Sequence, residues 1–103
     1  MKVDYDSEGH SLLFEFGEPG ECDHVEELST GECFVWVLDG KANSIQLLDA
    51  DRDISPLDEA AERFHFDATS LRAAARAALA APDHEIRIEV GRERLAGGEA
   101  KAA

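Results

Sequence analysis

Residues 32–48 constrain this chain more than any other stretch. They read Glu-Cys-Phe-Val-Trp-Val-Leu, then Asp39-Gly40-Lys41, then Ala-Asn-Ser-Ile-Gln-Leu-Leu. The first run is continuously apolar and rich in β-branched and aromatic residues, the pattern of a strand covered on both faces. Asp-Gly between two such runs is a strong hairpin signal, because both central turn positions need positive φ. A β-hairpin with a sandwiched first strand is therefore the expected centre. Phe34, Trp36 and Leu38 face one way, and Cys33, Val35 and Val37 the other. One face can take helices. The other asks for a second sheet layer or another subunit.

Residues 2–6 alternate, with Val3 and Tyr5 on one side, and residues 11–16 resume the alternation with Leu12, Phe14 and Phe16 inward. Together they predict a first hairpin. Residues 17–24 read as loop, and residues 25–28 as a weak strand returning into the centre. After Leu48 the period changes to helical. Ser55-Pro56-Leu57-Asp58 is a helix start, with Ser as N-cap, Pro at N1 and Asp at N3. Asp67 reads as the N-cap of a second helix stopped by Pro82, and residues 84–90 alternate as a last strand. The expected fold is α+β: an antiparallel sheet of about five or six strands with two consecutive helices, one of them packed on the sheet. It forms one domain over residues 1–90, and residues 91–103 read as a flexible tail.

Charge is the most unusual global property, and it is uneven. Residues 1–62 hold 17 Asp and Glu against 3 Lys and Arg, and residues 63–103 hold 6 against 7, which gives the net −13. A surface this negative repels phosphate backbones and anionic lipid, so the expected partners include neither nucleic acid nor membrane. It favours basic partners and speeds their association, although acidic charge also serves simply to keep a protein in solution. The first residues lack the apolar core of a signal peptide, so the expected compartment is the cytoplasm.

Two turn motifs carry a family resemblance. Tyr5-Asp6-Ser7-Glu8-Gly9-His10-Ser11-Leu12-Leu13-Phe14 matches a pattern of Tyr-Asp, a few residues and an apolar triplet. Asp39-Gly40-Lys41-Ala42-Asn43-Ser44-Ile45-Gln46-Leu47-Leu48 matches an acidic-Gly turn followed by Gly-Ile-Glu-Ile-Leu. Over residues 2–50 the chain resembles the bacterial domain-of-unknown-function family numbered 2283. It departs from that pattern at His10, Ser44 and Gln46. The resemblance implies a small antiparallel sheet and no particular activity.

Two constellations merit weighing as metal sites. Cys22, His24 and Cys33 supply ligand types for zinc, but only one cysteine stands at the second end, where such sites pair two ligands. Asp49, Asp51, Asp53 and Ser55 match the first positions of a calcium loop, yet Ile54 and Ala60 stand where Gly and a bidentate Glu are required. Acidic residues ahead of a helix are explained more simply by the helix dipole. The sequence therefore assigns no metal and no cofactor. His10, His24, His65 and His84 fall in turns or at element ends, no catalytic motif is present, and Glu26 and Glu27 face opposite sides of a strand. The reading is a non-enzymatic module. Asp49, Asp51, Asp53, Asp58 and Glu59 are its candidate surface for a basic protein partner, and Phe34, Trp36, Val35 and Val37 its candidate surface for a homodimer. The alternative is a metal-binding protein using either constellation.

Overall fold

The computed structural model describes residues 1–18 and 20–88. The central hairpin joins β4 (Cys33–Leu38) to β5 (Lys41–Leu48). Its turn residues Asp39 and Gly40 have φ of 53° and 76°, the doubly positive pair of a type I′ turn. The first hairpin is β1 (Lys2–Asp6) and β2 (Ser11–Glu15), and it lies beside the second because β2 pairs with β5, Phe14 opposite Ile45. β3 (His24–Glu27) folds onto the outside of β4, and β6 (Ile86–Arg87) onto β1. The result is a six-stranded antiparallel sheet in the order β3-β4-β5-β2-β1-β6.

Both helices lie on one face, so the fold is α+β with two layers. α1 (Pro56–Phe64) buries Leu57, Ala60, Ala61 and Phe64. α2 (Ala68–Ala80) buries Leu71, Ala74, Ala75 and Ala78. Opposite them the strands supply Val3, Tyr5, Leu12, Phe14, Cys33, Val35, Ile45 and Leu47, all buried. α1 ends where His65 turns left-handed at φ 65°, and the next N–H, that of Phe66, bonds Ala61 O at 2.9 Å. Phe66 then stacks on Phe16, with ring centroids 4.7 Å apart. This contact explains the inward reading of Phe16 although β2 stops one residue earlier.

Several expectations are corrected. α1 also packs on the sheet, against β4 and β5, where the sequence reading placed one helix there. No second layer covers the other sheet face among the described residues, and Phe34, Trp36 and Leu38 on it are half-buried. Ser55 stands at the N-cap of α1 in helical backbone and makes no cap bond. Its hydroxyl turns back to Asp53 Oδ2 at 3.0 Å. Asp58 leaves the N3 capping role for an ion pair with Arg72 of α2. The β3–β4 register sets Glu27 opposite Phe34 and Val25 opposite Trp36. The expected last strand appears as two residues. Its continuation at 89–90 and the expected tail at 91–103 lie outside the described residues. No helix among those residues is long and apolar enough to cross a membrane.

Candidate interaction surfaces

Three segments distant in sequence meet at one end of the sheet. Asp83 N–H donates to Tyr5 O at 2.8 Å, and the Asp83 carboxylate accepts the Ser7 N–H at 3.0 Å and the Ser7 hydroxyl at 2.7 Å. Ala50 N–H donates to His10 O at 3.1 Å, which draws the loop after β5 to the β1–β2 turn. His10, Asp49 and Asp83 each hold positive φ, so all three segments turn sharply at this end. Burial first, then the charges of Asp51, Asp6, Asp83 and Asp49, push the Tyr5 hydroxyl above its ordinary pKa. Four carboxylates therefore act on one buried phenol.

These charges remain largely uncompensated. Asp83 is held below its ordinary pKa by the two Ser7 bonds, which stabilise the carboxylate without neutralising it. Among the described residues the one ion pair formed by the four is His10 Nδ1 to Asp51 Oδ2, at 3.4 Å between exposed side chains. Of the acidic set expected from sequence, Asp49 and Asp51 belong to this end. The other three have internal partners. Asp53 accepts the Ser55 N–H and hydroxyl, Asp58 pairs with Arg72, and Glu59 binds Ser29 and Arg63. Asp6 and Asp83 escaped the sequence reading. Ser7 and Asp83 are 76 positions apart, and no local pattern signals a contact of that range.

The second surface is the open sheet face. Val35 and Val37 leave the candidate dimer surface, because they are 0% and 2% exposed under the helices. Alternation puts them opposite Phe34 and Trp36, which point away from the helices. Val25, 47% exposed, lies beside Trp36. Glu18 and Glu21, in the loop between β2 and β3, are drawn to this face because Asn43 Nδ2 donates to both Glu18 O and Glu21 O at 2.8 Å. Gly20 of that loop, Trp36, Leu13, Glu15, Ser44 and Gln46 line a shallow depression of about 220 Å³.

Neither metal constellation is assembled. His24 stands opposite Val37, four positions along β4 from Cys33, or about 13 Å at strand rise. Cys33 is buried, and its thiol is pushed up to about 12, by burial first and by Glu59 second, which opposes the thiolate a metal needs. Among the described residues no group of three or more His, Cys, Asp or Glu side chains is placed to hold an ion. Glu26 faces the helix side, where it meets His24 at 3.0 Å and Arg63 at 2.9 Å, and Glu27 faces away, as alternation requires. Comparison with protein-family models, with curated proteins and with solved structures finds no match to this chain.

Proposed function

We propose that this protein is a non-enzymatic interaction module that binds a basic protein partner at the sheet end bearing Asp6, Asp49, Asp51 and Asp83. The observation that supports it is the convergence of these four carboxylates around Tyr5, with Asp83 held on Tyr5 O and Ser7 and, among the described residues, one histidine ion-paired to the set. The three acidic neighbours Asp53, Asp58 and Glu59 are engaged in holding loops and helices together. Lysine or arginine side chains of a partner pair with these carboxylates, which no Lys or Arg among the described residues does, and long-range attraction to the net −13 charge speeds their arrival. Such binding weakens as salt rises, because exposed charges are screened over about 10 Å at 0.1 M ionic strength. The test uses a fluorescent arginine-rich peptide and two variants of equal net charge. Asp6→Asn/Asp49→Asn/Asp51→Asn is expected to bind at least about tenfold more weakly, a loss of about 1.4 kcal/mol. Glu18→Gln/Glu21→Gln/Glu62→Gln is expected to bind as wild type. Equal weakening by both variants contradicts a localised site.

A second reading is self-association through the open sheet face. It is favoured by the half-burial of Phe34 and Trp36 and the exposure of Val25 on the face opposite α1 and α2, which no helix among the described residues covers.

A further inference from the structure

Resting on that self-association reading, we infer that two copies of this chain pack their open sheet faces about a two-fold axis running across the strands, which sets Lys2 of each copy against Asp4 of the other. Strand register arranges the outward side chains in rows. One row crosses the sheet through Val25, Trp36, Ser44, Glu15, Lys2 and Arg87. The next, two residues along each strand, runs through Glu27, Phe34, Gln46, Leu13 and Asp4. A two-fold axis between the rows exchanges them and keeps each strand over its own copy. Trp36 then meets Phe34, Ser44 meets Gln46, and Lys2 meets Asp4, each contact occurring twice as an isologous interface demands. Strand axes stay aligned under this operation, each strand running antiparallel to its counterpart, which matches the aligned packing of sheet on sheet.

Charge selects a second copy as the occupant. The outward side chains of the strands include Lys2, Lys41 and Arg87 against Asp4, Asp6, Glu15 and Glu27, so the strands themselves contribute a net of −1 to this face in a chain of net charge −13, and Glu18 and Glu21 of the loop lie at its edge beside Asn43. Of the three basic residues in positions 1–62, both lysines point outward here. Over much of the remaining surface two copies repel. Here the basic end of β1 can meet the acidic end of its twin.

The experiment is sedimentation equilibrium on the full chain, with far-UV circular dichroism to establish that each variant folds. Wild type is expected to be a dimer. Lys2→Glu and Asp4→Lys alone are each expected to raise the dimer Kd about tenfold or more, since each sets like charges together twice. The K2E/D4K double variant is expected to return to within a few-fold of wild type, because the swap preserves the pairing. Trp36→Lys is expected to give monomer. A wild-type dimer indifferent to all these changes overturns the axis while leaving self-association standing, and failure of the double variant to recover overturns the Lys2–Asp4 pairing. A wild-type chain still monomeric at about 1 mM overturns the self-association reading itself.

Discussion

Glu59 of α1 accepts the Ser29 hydroxyl at 2.6 Å and the Ser29 N–H at 3.1 Å, which fastens the β3–β4 turn to the helix layer. Arg63, one turn further along α1, bridges the same Glu59 and Glu26 of β3. An edge strand is thereby tied to the helices by side chains as well as by its pairing with β4. This explains why an acidic residue on a helix surface need not be part of an acidic binding surface.

That tie gives stability a defined acid limit. The Ser29 hydroxyl first, with its N–H and Arg63, holds Glu59 below its ordinary 4.5, and Ser55 and Ser7 hold Asp53 and Asp83 below 3.8. In each case the folded pKa lies below the unfolded one. The stabilisation is therefore complete above the ordinary values and is lost as pH falls through them toward the folded pKa. Thermal melts from pH 7 to pH 2 are expected to show a Tm that is flat above about 5 and falls below it. Ser29→Ala is expected to lower the plateau and flatten the fall. An unchanged acid profile in that variant contradicts the role given to Glu59.

The two cysteines are expected to differ in reactivity. Cys22 is exposed, whereas Cys33 is buried with its thiol pushed up to about 12. Titration with an aromatic disulfide at pH 8 is expected to modify one thiol rapidly in the native protein and both in denaturant. Rapid native modification of both contradicts the burial of Cys33 beneath the helices.

Adjacent leucines test the layer assignment. Leu47 is fully buried, paired with Leu12 and Cys33, and Leu48 faces the open side. Leu47→Ala is expected to cost roughly 2–5 kcal/mol in urea denaturation, and Leu48→Ala less than about 1 kcal/mol at concentrations where the chain is monomeric. Equal costs contradict a sheet covered on one face.

The central turn is expected to tolerate bulk and resist the wrong backbone. A Cβ built on Gly40 meets nothing within 4 Å, yet its φ is 76°. Gly40→Ala is thus expected to destabilise by about 1 kcal/mol through backbone conformation alone. No change in the denaturation midpoint contradicts the type I′ geometry.

Local pattern made most elements legible. Val3-Asp4-Tyr5 and Ile45-Gln46-Leu47 alternate, Asp39-Gly40 dictates its turn, and Pro56 and Asp67 mark helix starts. What stayed hidden depended on distance along the chain. The continuous apolar run of β4 is the same whether its outer face meets a second layer or stands half-open beside a loop pinned by Asn43. Ser55 has the right type and place for a cap, but the neighbouring Asp53 carboxylate attracts its hydroxyl. The acidic end was half legible, since Asp49 and Asp51 sit in one loop while Asp6 joins them through the pairing of β1 with β2 and of β2 with β5, and Asp83 through its bonds to Tyr5 and Ser7.

The most direct test of the account captures partners from native lysate. Tagged wild type, Asp6→Asn/Asp49→Asn/Asp51→Asn and the Glu18→Gln/Glu21→Gln/Glu62→Gln control serve as baits in parallel, with low- and high-salt washes and mass spectrometry of what remains. A basic protein is expected to be retained in near-stoichiometric amount by wild type and control, released by high salt, and absent from the Asp6/Asp49/Asp51 variant. The same captured set from all three baits, resistant to salt, contradicts an acidic partner-binding end.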